Sequence, residues 1–192
     1  MSQTLIRAFL AIEIPEEIRQ KIYQTFARLH RQISNVKWVE APHMHLSLRF
    51  LGELELSLIE NEISPALEKI SLESKPLHLT LQGVGLFSSM DKPRVFWLGV
   101  GGELVDLKRL YLKIEKTLQA WPIHVEEHDF HPHITLGRVK QIADRKIWQQ
   151  ALEEYEKIDF ANFRASTISL FKSELTPTGP IYTRLQEFSL QA

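Results

Sequence analysis

The sequence predicts an α+β fold of mainly antiparallel strands with helices covering one side of the sheet. Three observations lead there. Residues 45–51 and 133–139 alternate between polar and apolar side chains, which is the period of a half-buried strand. Amphipathic stretches follow Pro15, Leu56, Gly102 and Asp144, with the spacing of helices that bury one face. Short joins rich in turn-forming residues, 88–93 and 176–180, link neighbouring strand candidates without room for a crossover helix.

Taken in order, Leu5 to Ile14 is mostly apolar and suits a strand. Pro15, Glu16 and Glu17 then open a helix running to about Gln32. Val36 to Val39 is a short strand, and His45 to Leu51 a longer one that Gly52 is expected to stop. A helix from about Leu56 to Ile70 follows, then strands over Leu77 to Phe87 and Arg94 to Val100. Gly101 and Gly102 precede a helix that reaches about Ala120. The pattern then begins again, with a strand at His133 to Val139, a helix from Asp144 to Tyr155, and closing strands at Ser166 to Phe171 and Tyr182 to Leu190. Two similar halves are expected. No linker rich in Gly, Ser or Pro divides them, so they should pack as one unit.

Composition narrows the chemistry. The 192 residues fit one domain or two small lobes sharing a core. Lys and Arg number 23 against 24 Asp and Glu, so phosphate recognition has to be local rather than a property of the whole surface. With no cysteine there is no thiolate nucleophile, disulfide framework or Cys-ligated metal. The apolar run Ala8 to Ile12 is too short for a signal sequence or a membrane span, which points to a cytoplasmic protein without membrane attachment.

His45-Leu-Ser-Leu and His133-Ile-Thr-Leu share one form, His, apolar, hydroxyl, apolar, 88 residues apart. On a strand, the imidazole and hydroxyl of each motif project from one face and the two apolar residues from the other. Two such strands facing each other would hold two acid–base groups and two hydroxyl donors. That set suits in-line displacement at a phosphodiester: one imidazole deprotonates water, the other protonates the leaving oxygen, and the donors hold the non-bridging oxygens. The four-residue form occurs a third time, at His78-Leu-Thr-Leu, and by itself reads equally well as a polar strand face with an incidental histidine.

Longer segments break that tie. Arg7 to Ile12, His45-Leu-Ser-Leu-Arg-Phe-Leu-Gly-Glu53, Arg94 to Val100, His131-Pro-His-Ile-Thr-Leu-Gly-Arg138, and Leu170 to Leu175 ahead of Gly-Pro-Ile-Tyr together resemble the LigT-like RNA 2',3'-cyclic phosphodiesterases. These were historically called 2'-5' RNA ligases and belong to the two-histidine phosphoesterase superfamily. The resemblance covers nearly the whole chain and implies one bilobed domain over residues 1–192, with two pseudo-symmetric lobes and a central groove. It implies a hydrolase that opens RNA 2',3'-cyclic phosphate ends to 2'-phosphates without metal or other cofactor, with 2'-5' joining as the reverse. The family's motifs fall on His45 with Ser47 and on His133 with Thr135, leaving His78 as a decoy.

Ser47 stands where many relatives carry threonine and can donate the same bond. Arg138 matches the family's phosphate-facing basic residue, although strict alternation would send it away from His133 unless Gly137 permits a bulge. His133 is expected as general base and His45 as general acid, with the reverse assignment left open and product regiochemistry as its test. Phe9, Phe96 and Trp97 are candidates to stack on a base, and Arg7, Arg49 and Lys172 to attract an anion. The expected partners are RNA ends bearing cyclic phosphate, tRNA fragments among them, met by a monomer.

Two other classes stay open at this level. His124-Val-Glu-Glu-His128 has the spacing of an inverted zinc-protease motif, with His131 and His133 nearby, but Pro122 and the Phe-His-Pro-His that follows disfavour the helix such a zinc hydrolase needs. A non-catalytic RNA-end-binding module would need the phosphate donors but not two titrating imidazoles.

Overall fold

A computed structural model describes residues 4–88, 92–123, 129–177 and 179–191. The near-continuous apolar run at the N-terminus becomes β1 (Leu5–Glu13), buried over most of its length between two neighbours. Then come α1 (Glu16–Thr25), α2 (Ala27–Gln32), β2 (Val36–Trp38) and a 3-10 turn at Ala41–His43. β3 (His45–Glu55) leads into α3 (Leu56–Leu58), a π-helical turn at Ile59–Ile63, and α4 (Ser64–Leu72). The antiparallel pair β4 (Leu77–Phe87) and β5 (Val95–Gly102) precedes α5 (Leu104–Leu118), β6 (His133–Val139) and α6 (Arg145–Tyr155). β7 (Asp159–Ala165), β8 (Thr167–Thr176) and β9 (Gly179–Ser189) close the chain.

Among the described residues the strands form one sheet in the order β7-β4-β5-β6-β3-β1-β8-β9, with β2 also paired to β6, and every pairing is antiparallel. β3 and β6 meet through one bridged pair, Leu46 with Ile134. The sheet therefore consists of two arms, β3-β1-β8-β9 and β6-β5-β4-β7, hinged along the line where the two histidine strands touch.

Helices cross between the arms. Phe26, between α1 and α2, packs on Phe96 of β5 at 5.8 Å and on Phe160 of β7 at 5.3 Å, although β1 belongs to the other arm. Conversely α5 follows β5 yet touches β3 of the other arm as well as β4 of its own, and packs on α4, which lies against β9. This exchange buries one continuous core under both arms, which is why no linker separates the halves.

Several boundaries differ from the sequence reading. The first helix breaks at Phe26, where φ is -87° and ψ is 2°, so that the ring can enter the cluster with Phe96, Tyr155 and Phe160. Gly52 does not stop its strand. At φ +77° it carries β3 through a bulge to Glu55. The helix after β3 passes a π-helical turn just before Pro65, whose missing N–H already interrupts the regular ladder. β7 escapes periodicity because a register shift opposite Leu81 and Gln82 upsets its alternation. No helix among the described residues is long and apolar enough to cross a membrane.

Candidate active site

His45 is the first residue of β3 and His133 the first of β6, and the two strands repeat one another in detail. In both, the histidine and the hydroxyl two residues on are half-buried, while the apolar residues between and after them (Leu46 and Leu48, Ile134 and Leu136) are buried in the core. Each imidazole Nδ1 lies against the backbone carbonyl two residues earlier, His45 to His43 at 2.8 Å and His133 to His131 at 2.7 Å. A neutral ring donating from Nδ1 to that carbonyl leaves Nε2 as the free proton acceptor.

Both strands then bulge at the same place. Leu48 is skipped between the pairs Leu10 with Arg49 and Ala11 with Ser47, and Leu136 between Phe96 with Gly137 and Trp97 with Thr135. The bulge shifts the alternation by one, so residue 49 or 137 turns into the core and residue 50 or 138 out to the histidine face. Arg138 is thereby exposed on the side of His133, and its charge reaches His45, His133 and Tyr182. Gly137 is required for a different reason: a Cβ there would lie 2.6 Å from Val36 Cγ1 and 3.2 Å from Trp38 Cε3, so only glycine lets β2 close over the bulge.

Antiparallel register from the Leu46–Ile134 pair sets His45 across from Thr135 and Ser47 across from His133. The four groups form a square, two imidazoles on one diagonal and two hydroxyls on the other. Burial holds the pKa of His45 down at about 4, against the help of its carbonyl bond and reinforced by His43, His133 and Arg138. Burial likewise lowers that of His133, opposed by its bond to the His131 carbonyl and reinforced by His131 and Arg138. Both rings are therefore neutral at pH 7, and the Arg138 guanidinium is the fixed charge that acts on both. An anion is the species that relieves this arrangement.

Aromatic residues that the motifs do not mark surround the square. Tyr182 of β9 meets the His45 ring edge-on at 5.4 Å and His43 at 5.3 Å, and burial raises its own pKa. Phe87 of β4 stands perpendicular to His133 at 4.7 Å. With Phe9, Phe171, Glu13 and Arg19, Tyr182 also lines a pocket of about 170 Å³ beside His45. The Gly-Pro-Ile-Tyr segment is the signal in the sequence for Tyr182; nothing local singles out Phe87.

The remaining candidates separate cleanly. Phe9 and Phe96 are 2% and 0% exposed and belong to the packing, whereas Trp97 is half-buried on the histidine face. Arg49 is no surface anion site: it is 3% exposed and ion-paired at 2.6 Å with Glu115 of α5, because the bulge turns it beneath the sheet. Lys172 pairs with Glu174 at 3.1 Å, and Arg7 is exposed on β1. His78 lies in β4, two strands from His133, and is exposed. His124 and His128 lie outside the described residues. Among those described, no three His, Asp or Glu side chains converge in a way that could hold a metal ion.

Known proteins share this arrangement of strands and sequence. The model of the LigT like phosphoesterase family matches residues 12–97 and 103–182. The RNA 2',3'-cyclic phosphodiesterase of Methanocaldococcus jannaschii is 34% identical over 185 residues, covering 95% of this chain and 100% of that protein. That of Thermotoga maritima is 36% identical over 188 residues, covering 95% and 94%. The crystal structure of TT0787 of Thermus thermophilus superposes with a TM-score of 0.81 at 28% identity, covering 97% and 99%.

Proposed function

The chain belongs to the LigT like phosphoesterase family, and on that premise we propose that it is an RNA 2',3'-cyclic phosphodiesterase in which His45 and His133 are the acid–base pair. The observation that carries the residue assignment is the square: each imidazole faces the other motif's hydroxyl across the junction of the two arms.

The cyclic phosphate sits in the square. Ser47 and Thr135 donate to its non-bridging oxygens, and Arg138 balances the charge that accumulates in the transition state. Water attacks phosphorus in line with the 3'-oxygen. Nε2 of His133 takes the water proton, the bond from phosphorus to O3' breaks, and His45 delivers a proton to the departing oxygen, leaving a 2'-phosphomonoester. His45 has to be protonated for this, whereas the free protein keeps it neutral down to about pH 4. The bound phosphodiester anion supplies the opposing charge that loads it.

Two imidazoles supply both proton transfers, so the reaction as proposed needs no metal. Attack by the 5'-hydroxyl of a second RNA in place of water follows the same path, breaks the same bond to O3' and gives a 2'-5' linkage beside a free 3'-hydroxyl, with hydrolysis favoured by water at bulk concentration. The substrates are RNA ends carrying cyclic phosphate, tRNA fragments among them, and the protein works as a single-domain monomer in the cytoplasm.

The test is incubation with a short oligoribonucleotide ending in 2',3'-cyclic phosphate in excess EDTA, beside His45→Ala and His133→Ala. The expected outcome is 2'-phosphate from the wild type and no product from either variant. A 3'-phosphate product would overturn the leaving-group assignment, and activity that returns only with added zinc would overturn the metal-free reaction.

A further inference from the structure

We propose that Trp97 is the platform on which the base of the terminal nucleoside stacks. The inference rests on the phosphodiesterase reading and adds how that site holds its nucleoside.

Trp97 is the cross-strand partner of Thr135, one strand outward from the square and on the same face. Its indole lies flat on the sheet. A Cβ at Gly85, its partner on β4, would overlap Cζ2 and fall 2.5 Å from Cη2, and one at Gly99 would fall 3.4 Å from Cζ3. Glycines at these two positions make the floor under the ring, and Trp97 remains half-buried on the histidine face. Phe87, 5.5 Å from Trp97 and 4.7 Å from His133, fences the platform on the side of the catalytic ring.

The other arm is built differently. The residue across from Ser47 on β1 is Ala11, which is fully buried, and the aromatics of this arm form a cluster instead: Phe50, Phe171 and Tyr182 stand 5.8, 5.2 and 4.9 Å from Phe9, and Phe9, Phe171 and Tyr182 line the pocket beside His45. The two arms repeat each other at the histidines and hydroxyls yet differ here, so the groove is chemically symmetric at the phosphate and asymmetric at the nucleoside. Stacking tolerates any base, as a hydrolase of diverse RNA ends requires.

The test compares adenosine 2',3'-cyclic phosphate with ribose 2',3'-cyclic phosphate lacking a base, using wild type, Trp97→Leu and Gly85→Ala. Stacking of one base corresponds to roughly a tenfold effect. The expected result is a KM for the adenosine substrate raised about tenfold in Trp97→Leu with kcat nearly kept, and an abasic substrate that does not distinguish the variants. Gly85→Ala should move KM in the same direction, because the added methyl lifts the indole off the sheet. Equal losses on both substrates, or an unmoved KM for adenosine, would overturn the proposal. A second readout is independent of turnover and of these variants: adenosine 3'-monophosphate should quench tryptophan emission of the wild type and not of Trp97→Phe, and no difference between them would also overturn it. If neither cyclic phosphate is hydrolysed, the phosphodiesterase reading fails while the quenching still decides the stacking.

Discussion

Leu46 and Ile134 are the one bridged pair between β3 and β6 among the described residues, and both are fully buried. Their pairing converts two separate sequence motifs into one site. Because the strands run antiparallel, the residues on either side of this pair are opposed in crossed fashion, so His45 lies across from Thr135 and Ser47 across from His133.

Crossed pairing predicts how the motifs depend on each other. Ser47→Ala and Thr135→Ala should each lower kcat by about 10²-fold, the effect of losing one donor to developing phosphoryl charge. Combined, they should cost less than the product of the two, because both serve one phosphate. Steady-state kinetics of the single and double variants check this; a loss confined to KM would remove the hydroxyls from the transition state.

The lowered pKa values predict an acidic optimum. One ring must be protonated and the other neutral, and burial pulls both below 6.5, His45 to about 4. A profile of kcat/KM against pH should be bell-shaped with its plateau between about 4 and 6.5, and the kcat profile should lie at higher pH because bound phosphate favours the charged rings. A kcat/KM that climbs steadily to pH 8 contradicts the site as described.

The same burial links stability to pH. A histidine whose pKa falls from 6.5 to about 4 on folding binds fewer protons folded than unfolded, so its contribution is intact above 6.5 and is lost as pH drops towards 4. The loss attributable to His45 should approach about 3 kcal/mol. Urea unfolding at pH 7 and pH 4 should show a smaller acid loss in His45→Gln than in wild type.

Gly137→Val should affect both structure and site. The new side chain meets Val36, so β2 separates from β6, stability falls by about 1–3 kcal/mol and Arg138 loses its place. Arg138→Ala should weaken substrate binding without the stability loss, as denaturant unfolding and KM measured on both variants will show.

Beneath the site, the ion pair of Arg49 with Glu115 ties β3 to α5, a helix that follows a strand of the other arm. Arg49→Met should cost about 3–5 kcal/mol by stranding a buried carboxylate, and adding Glu115→Leu should restore most of that. Measured activity of the double variant should stay near wild type, since neither charge reaches the histidine face.

Much of this molecule is legible along the chain. Alternation locates β3, β4 and β6, and the repeated His-x-hydroxyl-x form marks His45, Ser47, His133 and Thr135, because strand periodicity alone decides that an imidazole and a hydroxyl two residues apart share a face. Cysteine count and net charge exclude whole classes of chemistry. What local pattern does not contain is anything that depends on a second strand. The bulges at Leu48 and Leu136, which turn Arg138 outward and Arg49 inward, arise from register with β1 and β5. β7 is hidden by a similar shift. That Trp97 is half-buried while Phe9 and Phe96 are fully covered depends on what lies above each ring, and the crossed square depends on one hydrophobic pair 88 residues apart. Periodicity is a property of one strand, whereas register, burial and opposition are properties of pairs, and these only the tertiary fold decides.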